Sequence, residues 1–160
     1  MNRRTILIAG FSAALFAMAA LQVGFAQTSP LIGVWKLNLD KSKFSPGPPP
    51  KSQTLNFEGA GQDLKDTAET IDAQGQATKV VLMHIYDGKP HPTTGNPLFN
   101  ATTYTPVDAY HVNFVRSKDG TAVLAGSIVI SIDGRTFTAT TEGTGANGEK
   151  ISSVAVYEKQ

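Results

Sequence analysis

Hydrophobic and polar residues alternate along most of the chain after residue 30, and the alternation keeps a period of two. Over 31–39, Trp35, Leu37 and Leu39 fall on one side and Lys36 and Asn38 on the other. That pattern predicts a strand with one buried face. Over 52–58, Leu55 and Phe57 share a face. The stretch 63–71 is polar and threonine-rich, which predicts a strand on an exposed part of a sheet. Over 78–86, Val80, Leu82, His84 and Tyr86 alternate with Val81, Met83 and Ile85. Both faces are apolar there, so this strand is expected in the middle of the structure or covered on both sides, with Leu82, His84 and Tyr86 inward. Further strands are predicted over 99–105, stopped by Pro106, and over 110–116, 122–132, 135–142 and 151–158.

Turn signals separate these runs. Asp72-Ala73-Gln74-Gly75, Lys118-Asp119-Gly120-Thr121, Asp133-Gly134 and Asn147-Gly148 are hairpin sequences. Two stretches interrupt the rhythm. Residues 41–51 carry Pro46, Pro48, Pro49 and Pro50, which cannot donate to a ladder. Residues 87–97 carry three more prolines, Pro90, Pro92 and Pro97. The apolar pattern never settles into a helical period after residue 26. About nine or ten antiparallel strands in an up-and-down meander follow, in one all-β domain. A single twisted sheet of that many strands closes or folds over on itself. A closed barrel is the first expectation and a β-sandwich the alternative.

The first 26 residues read differently. Arg3 and Arg4 precede an apolar stretch over 6–23, and Gly24-Phe25-Ala26 places small residues at −3 and −1. This is the pattern of a secretory signal peptide cut between Ala26 and Gln27. The mature domain then spans 27–160 with no membrane span, in the bacterial periplasm or outside the cell. Removing Arg3 and Arg4 lowers the basic residues from 14 to 12 against 13 acidic ones, a net charge of about −1. No basic patch points to nucleic acid. The chain has no cysteine, so an exported fold must rest on its core and strand ladders rather than on disulfides.

Gly33-x-Trp35 on the first strand, followed by hairpins that end in Val156-Tyr157-Glu158-Lys159, resembles the lipocalin-like (calycin) superfamily. The resemblance implies that Trp35 packs beneath the barrel and that Lys159 is the cation stacked on it, so Gly33, Trp35 and Lys159 are expected to be structural. Three segments, Lys41-Ser42-Lys43-Phe44-Ser45-Pro46-Gly47-Pro48, Tyr86-Asp87-Gly88-Lys89 with Thr94-Gly95-Asn96-Pro97, and Val154-Ala155-Val156-Tyr157-Glu158-Lys159, also look like a group of small, uncharacterised, exported bacterial proteins. The cytosolic fatty-acid-binding branch of the superfamily inserts two helices after its first strand. Here that position is the proline-rich 44–51, which cannot form them.

Candidate chemistry is sparse. The histidines are His84, His91 and His111, and their spacings are no metal signature. No serine sits in a nucleophile elbow, and Gly143-Thr144-Gly145-Ala146-Asn147-Gly148 has no following helix to hold an anion. No cofactor, metal or catalytic residue is assigned. The functional expectation is an exported barrel that binds a small apolar or amphipathic ligand in its cavity. His84, Tyr86, Tyr104, Phe114 and Arg116 are the inward candidates: aromatic walls with one cation and one histidine suit a ligand bearing an acid or a hydroxyl. The alternative is a non-enzymatic envelope or interaction protein with a filled barrel, acting through loops 41–51 and 87–97.

Overall fold

A computed structural model describes residues 29–160. The expected signal segment lies outside the described residues. Ten antiparallel strands make up the fold: β1 (Gly33–Ser45), β2 (Ser52–Ala60), β3 (Asp63–Ile71), β4 (Ala77–His84), β5 (His91–Pro92), β6 (Ala101–Asp108), β7 (His111–Lys118), β8 (Thr121–Ile130), β9 (Thr136–Thr144) and β10 (Lys150–Lys159). They form one sheet in the order β4-β3-β2-β1-β10-β9-β8-β7-β6-β5. The first and last strands are therefore neighbours, with Trp35 opposite Lys159 and Leu37 opposite Tyr157. The sheet curls into a nearly closed barrel with its two free edges at β4 and β5. Among the described residues there is no helix, and none long and apolar enough to cross a membrane.

Period-two alternation sorts the side chains as the pleat requires. Trp35, Leu37, Leu55, Phe57, Leu64, Tyr104, Phe114, Ile128, Ile130, Phe137 and Tyr157 belong to one buried cluster inside the barrel. One end is plugged by aromatic rings: Trp35 meets Phe137 edge-on at 4.8 Å, and Phe137 stacks on Tyr157 at 4.5 Å. Such contacts add to the burial of apolar area, roughly 25 cal/mol per Å², that holds the barrel closed.

Several expectations change. β1 does not end at Leu39. It runs on to Ser45 through a bulge in which Asn38 pairs with Val156 and Lys43 with Val154, leaving four residues opposite one. The Ser42 hydroxyl closes the bulge, donating to Asn38 O at 2.6 Å and accepting from Val156 N–H at 2.9 Å. The bulge turns Leu39 outward to solvent, away from the face of Trp35 and Leu37. Pro106 does not stop its strand but lies within β6, beside a register shift. β4 is neither central nor covered twice. It is an edge strand, and Val81 and Met83 on its outer face are exposed. β3 keeps its polar outer face but sends Leu64, Asp66 and Ala68 into the interior.

Candidate functional site

The barrel encloses a cavity of about 400 Å³. Its walls mix apolar and polar side chains: Leu55, Phe57, Leu82, Phe99, Phe114, Ile128 and Phe137 face it beside Gln53, Thr70, Thr78, Thr141 and Ser153. Of the five inward candidates, His84, Tyr104, Phe114 and Arg116 reach the cavity wall. Tyr86 does not. It lies beyond the end of β4, half-buried, with its ring 6.3 Å from His84 and 6.2 Å from Tyr104.

The gap between β4 and β5 has no backbone ladder, and side chains bridge it. His84 from β4 stacks on Tyr104 from β6 at 4.0 Å and 15°. Phe57 also meets the histidine, edge-on at 5.3 Å. The irregular connection 87–97 folds against the same gap: Gly95 approaches Val80, Thr93 bonds Thr102 through their hydroxyls at 2.9 Å, and Asn96 reaches the cavity wall.

Charged groups on the wall are few. Arg116 on β7 lies between the rings of Phe99 and Phe114, its guanidinium carbon 4.7 Å and 4.8 Å from their centroids. On β3 stands Asp66, which the sequence reading did not select. It shares the parity of Leu64 and Ala68, and that parity is the signal that would have found it. Its residue is 4% exposed and that of His84 2%. The His84 Nε2 to Asp66 Oδ2 distance is 3.6 Å, an electrostatic contact too long for a hydrogen bond. Among the described residues, Asp66 Oδ1, both ring nitrogens of His84 and Arg116 Nε have no hydrogen-bond partner. Buried polar atoms are seldom left so.

Burial is the main cause of the shifted titrations here. It lowers the His84 pKa, an effect that Asp66 opposes and the Arg116 charge reinforces. It raises Tyr86 to about 12, helped by the charges of Asp63 and Asp66. It pushes Tyr104 and Tyr157 well above the usual phenol range. The Tyr157 hydroxyl donates to Gln53 Oε1, so both side chains line the wall already paired.

The remaining candidates lie elsewhere. Trp35 is fully buried and donates from Nε1 to Leu31 O at 2.7 Å. Lys159 Nζ sits 5.1 Å from its ring centroid and 3.3 Å from Pro30 O. Gly33, at φ +127°, leaves room for the lysine stem, since a Cβ there would meet Lys159 Cε at 2.9 Å. His91 bonds Asp87 Oδ1 at 2.8 Å, on the loop and off the cavity wall, which holds Asp87 below the usual carboxylate range. Phe44 packs against the core and faces the cavity, so the proline loop begins after it. No three histidines or carboxylates converge on a metal site among the described residues.

This architecture is the nearly closed, up-and-down antiparallel β-barrel that the sequence led one to expect. A solved structure of the same fold is the zebrafish ileal bile acid-binding protein complexed with cholic acid, similar at 17% identity and a TM-score of 0.51. The match covers 82% of this chain and 100% of that one. No family model and no curated protein matches the sequence.

Proposed function

We propose that this protein binds one small amphipathic molecule inside the barrel. The observation that carries the reading is the cavity itself: about 400 Å³, lined by apolar and polar side chains together, with partnerless buried polar atoms on its wall. A cavity with apolar walls and convergent polar groups is a usual form of a small-molecule site. In this reading Phe57, Tyr104 and Phe114 contact the apolar body, and Arg116 attracts an acidic group. The bile-acid complex of the zebrafish barrel supports it as a precedent on the same fold. The interaction-protein reading is weaker, because Phe44, the apolar residue of loop 41–51, is turned towards the interior.

The test is calorimetric titration of delipidated protein with medium-chain acids and with cholic acid. One-to-one binding with a negative heat-capacity change is expected. A protein that binds none of them, and that carries no small molecule in native mass spectra when purified from its own host, would refute the proposal.

We also propose export, on the strength of Arg3, Arg4, the apolar 6–23 stretch and Gly24-Phe25-Ala26. Mass analysis of the protein from its native host should find a chain beginning at Gln27. A full-length chain retained in the cytoplasm would overturn this.

A further inference from the structure

Arg116 has a role in the proposed function; Asp66 does not. A carboxylate on the cavity wall is costly to bury unpaired. Among the described residues no lysine or arginine forms an ion pair with it, and His84, at 3.6 Å, is its one ion-pair contact. Asp66 pairs across the ladder with Phe57 and Leu82, both apolar and both on the cavity wall. Phe57 packs on Phe137 at 6.1 Å, and Phe137 on Trp35. Asp66 therefore stands beside the plugged end.

The chemistry of this corner has one sense. A carboxyl group presents acceptor oxygens. A neutral imidazole with its proton on Nε2, the nitrogen facing Asp66, leaves Nδ1 as a bare acceptor. Asp66 Oδ1 and His84 Nδ1 are both without partners. The corner thus leaves two acceptors, Asp66 Oδ1 and His84 Nδ1, with no donor reaching them.

From this we infer that the ligand carries a hydrogen-bond donor, a hydroxyl or an amine, at the end that enters towards Asp66, in addition to the acidic group assigned to Arg116. The inference rests on the cavity being a binding site. It narrows the ligand class from a plain amphiphile to a bifunctional one, such as a hydroxy acid or an amino acid with a long apolar middle. The sign of the effect is diagnostic. In a purely apolar pocket an added hydroxyl weakens binding, because it is desolvated without a partner. Opposite Asp66 the same group strengthens it.

The experiment compares straight-chain acids of about eight to twelve carbons with the ω-hydroxy and ω-amino acids of the same length. Affinities are measured by calorimetry on the full barrel and on Asp66→Leu and Asp66→Asn. For the unsubstituted protein, one of the two ω-substituents should tighten binding about tenfold over the plain acid. Whichever gains more names the donor. In Asp66→Leu the substituted acids should lose their advantage over the plain acid of the same length, or fall below it. Asp66→Asn, isosteric and still able to accept, keeps part of the hydroxyl gain and loses the amine gain, and it serves if the leucine variant does not fold. Plain acids that bind with no gain from either substituent, or a gain that survives in Asp66→Leu, would sink this inference and leave the cavity reading standing. If no acid of any kind binds and no small molecule co-purifies, the cavity reading falls and takes this one with it.

Discussion

His84 lies flat on Tyr104, ring centroids 4.0 Å apart, and this stack joins β4 to β6 across the gap in the strand ladder. Backbone hydrogen bonds hold every other neighbouring pair of strands in the sheet order. Here the two free edges are held by aromatic surface. The first prediction concerns that stack. Tyr104→Ala should cost about 3–5 kcal/mol, the range for deleting a buried aromatic ring. Tyr104→Phe keeps the ring and should shift stability by less than about 1 kcal/mol. Urea denaturation of the two variants decides the matter; similar losses for both would mean that the hydroxyl, not the stack, secures the gap.

Gly33 and Lys159 should be energetically coupled. Gly33→Ala adds a Cβ at 2.9 Å from Lys159 Cε and strains a backbone at φ +127°. Lys159→Ala removes the clash and also the cation over Trp35, worth about 0.5–1 kcal/mol. The double variant should therefore lose less than the sum of the single losses, by at least about 0.5 kcal/mol. Strict additivity in a double-mutant cycle would show that the lysine stem swings aside freely.

Gly126 should tolerate no side chain. It sits opposite Phe114 on the β7–β8 ladder, and a Cβ there would press on Phe114 Cζ at 2.7 Å and on the Thr140 carbonyl. Gly126→Ala is expected to cost about 1–3 kcal/mol or more by overpacking. Because Phe114 lines the cavity, the same variant should also weaken ligand binding. A variant with unchanged melting temperature would contradict the close approach of β9.

Acid should weaken the fold through His84. Its pKa in the native barrel is lowered from 6.5, first by burial and further by the Arg116 charge, with Asp66 opposing. Below 6.5 the unfolded chain takes up a proton that the native protein does not. The unfolded state then binds more protons, so stability falls as pH drops from 6.5 to the lowered native value, by up to about 1.4 kcal/mol per pH unit. Above 6.5 both states are neutral at this site and it contributes nothing. Urea midpoints between pH 7.5 and 5 should fall more steeply for the natural protein than for His84→Gln. Equal slopes would remove His84 from the pH response.

The sequence by itself determined the local part of this molecule. Period-two alternation showed which residues share a face in most strands, and Asp-Gly and Asn-Gly pairs marked hairpins, because both depend on neighbours only a few residues apart. An all-β meander of about nine or ten strands was legible for that reason, as was the inward parity of Leu82, His84, Tyr104 and Phe114, whereas β5 lies inside the stretch 87–97 that reads as an irregular loop.

Only the tertiary structure decided what closure decides. The apolar run Val80–Val81–Leu82–Met83 reads as central, yet it is an edge strand, because the sheet closes through β1 and β10 and leaves its gap at β4. The β1 bulge, which turns Leu39 out, is set by the register of β10, more than a hundred residues away. Asp66 is the plainest case. Its threonine-rich strand looks solvent-facing, and the parity of Leu64 and Ala68 is a faint signal against so many polar neighbours. That it ends in a cavity beside His84, without a partner for Oδ1, follows from the curling of the whole sheet. Periodicity assigns a side chain to a face; long-range strand pairing decides what that face encloses.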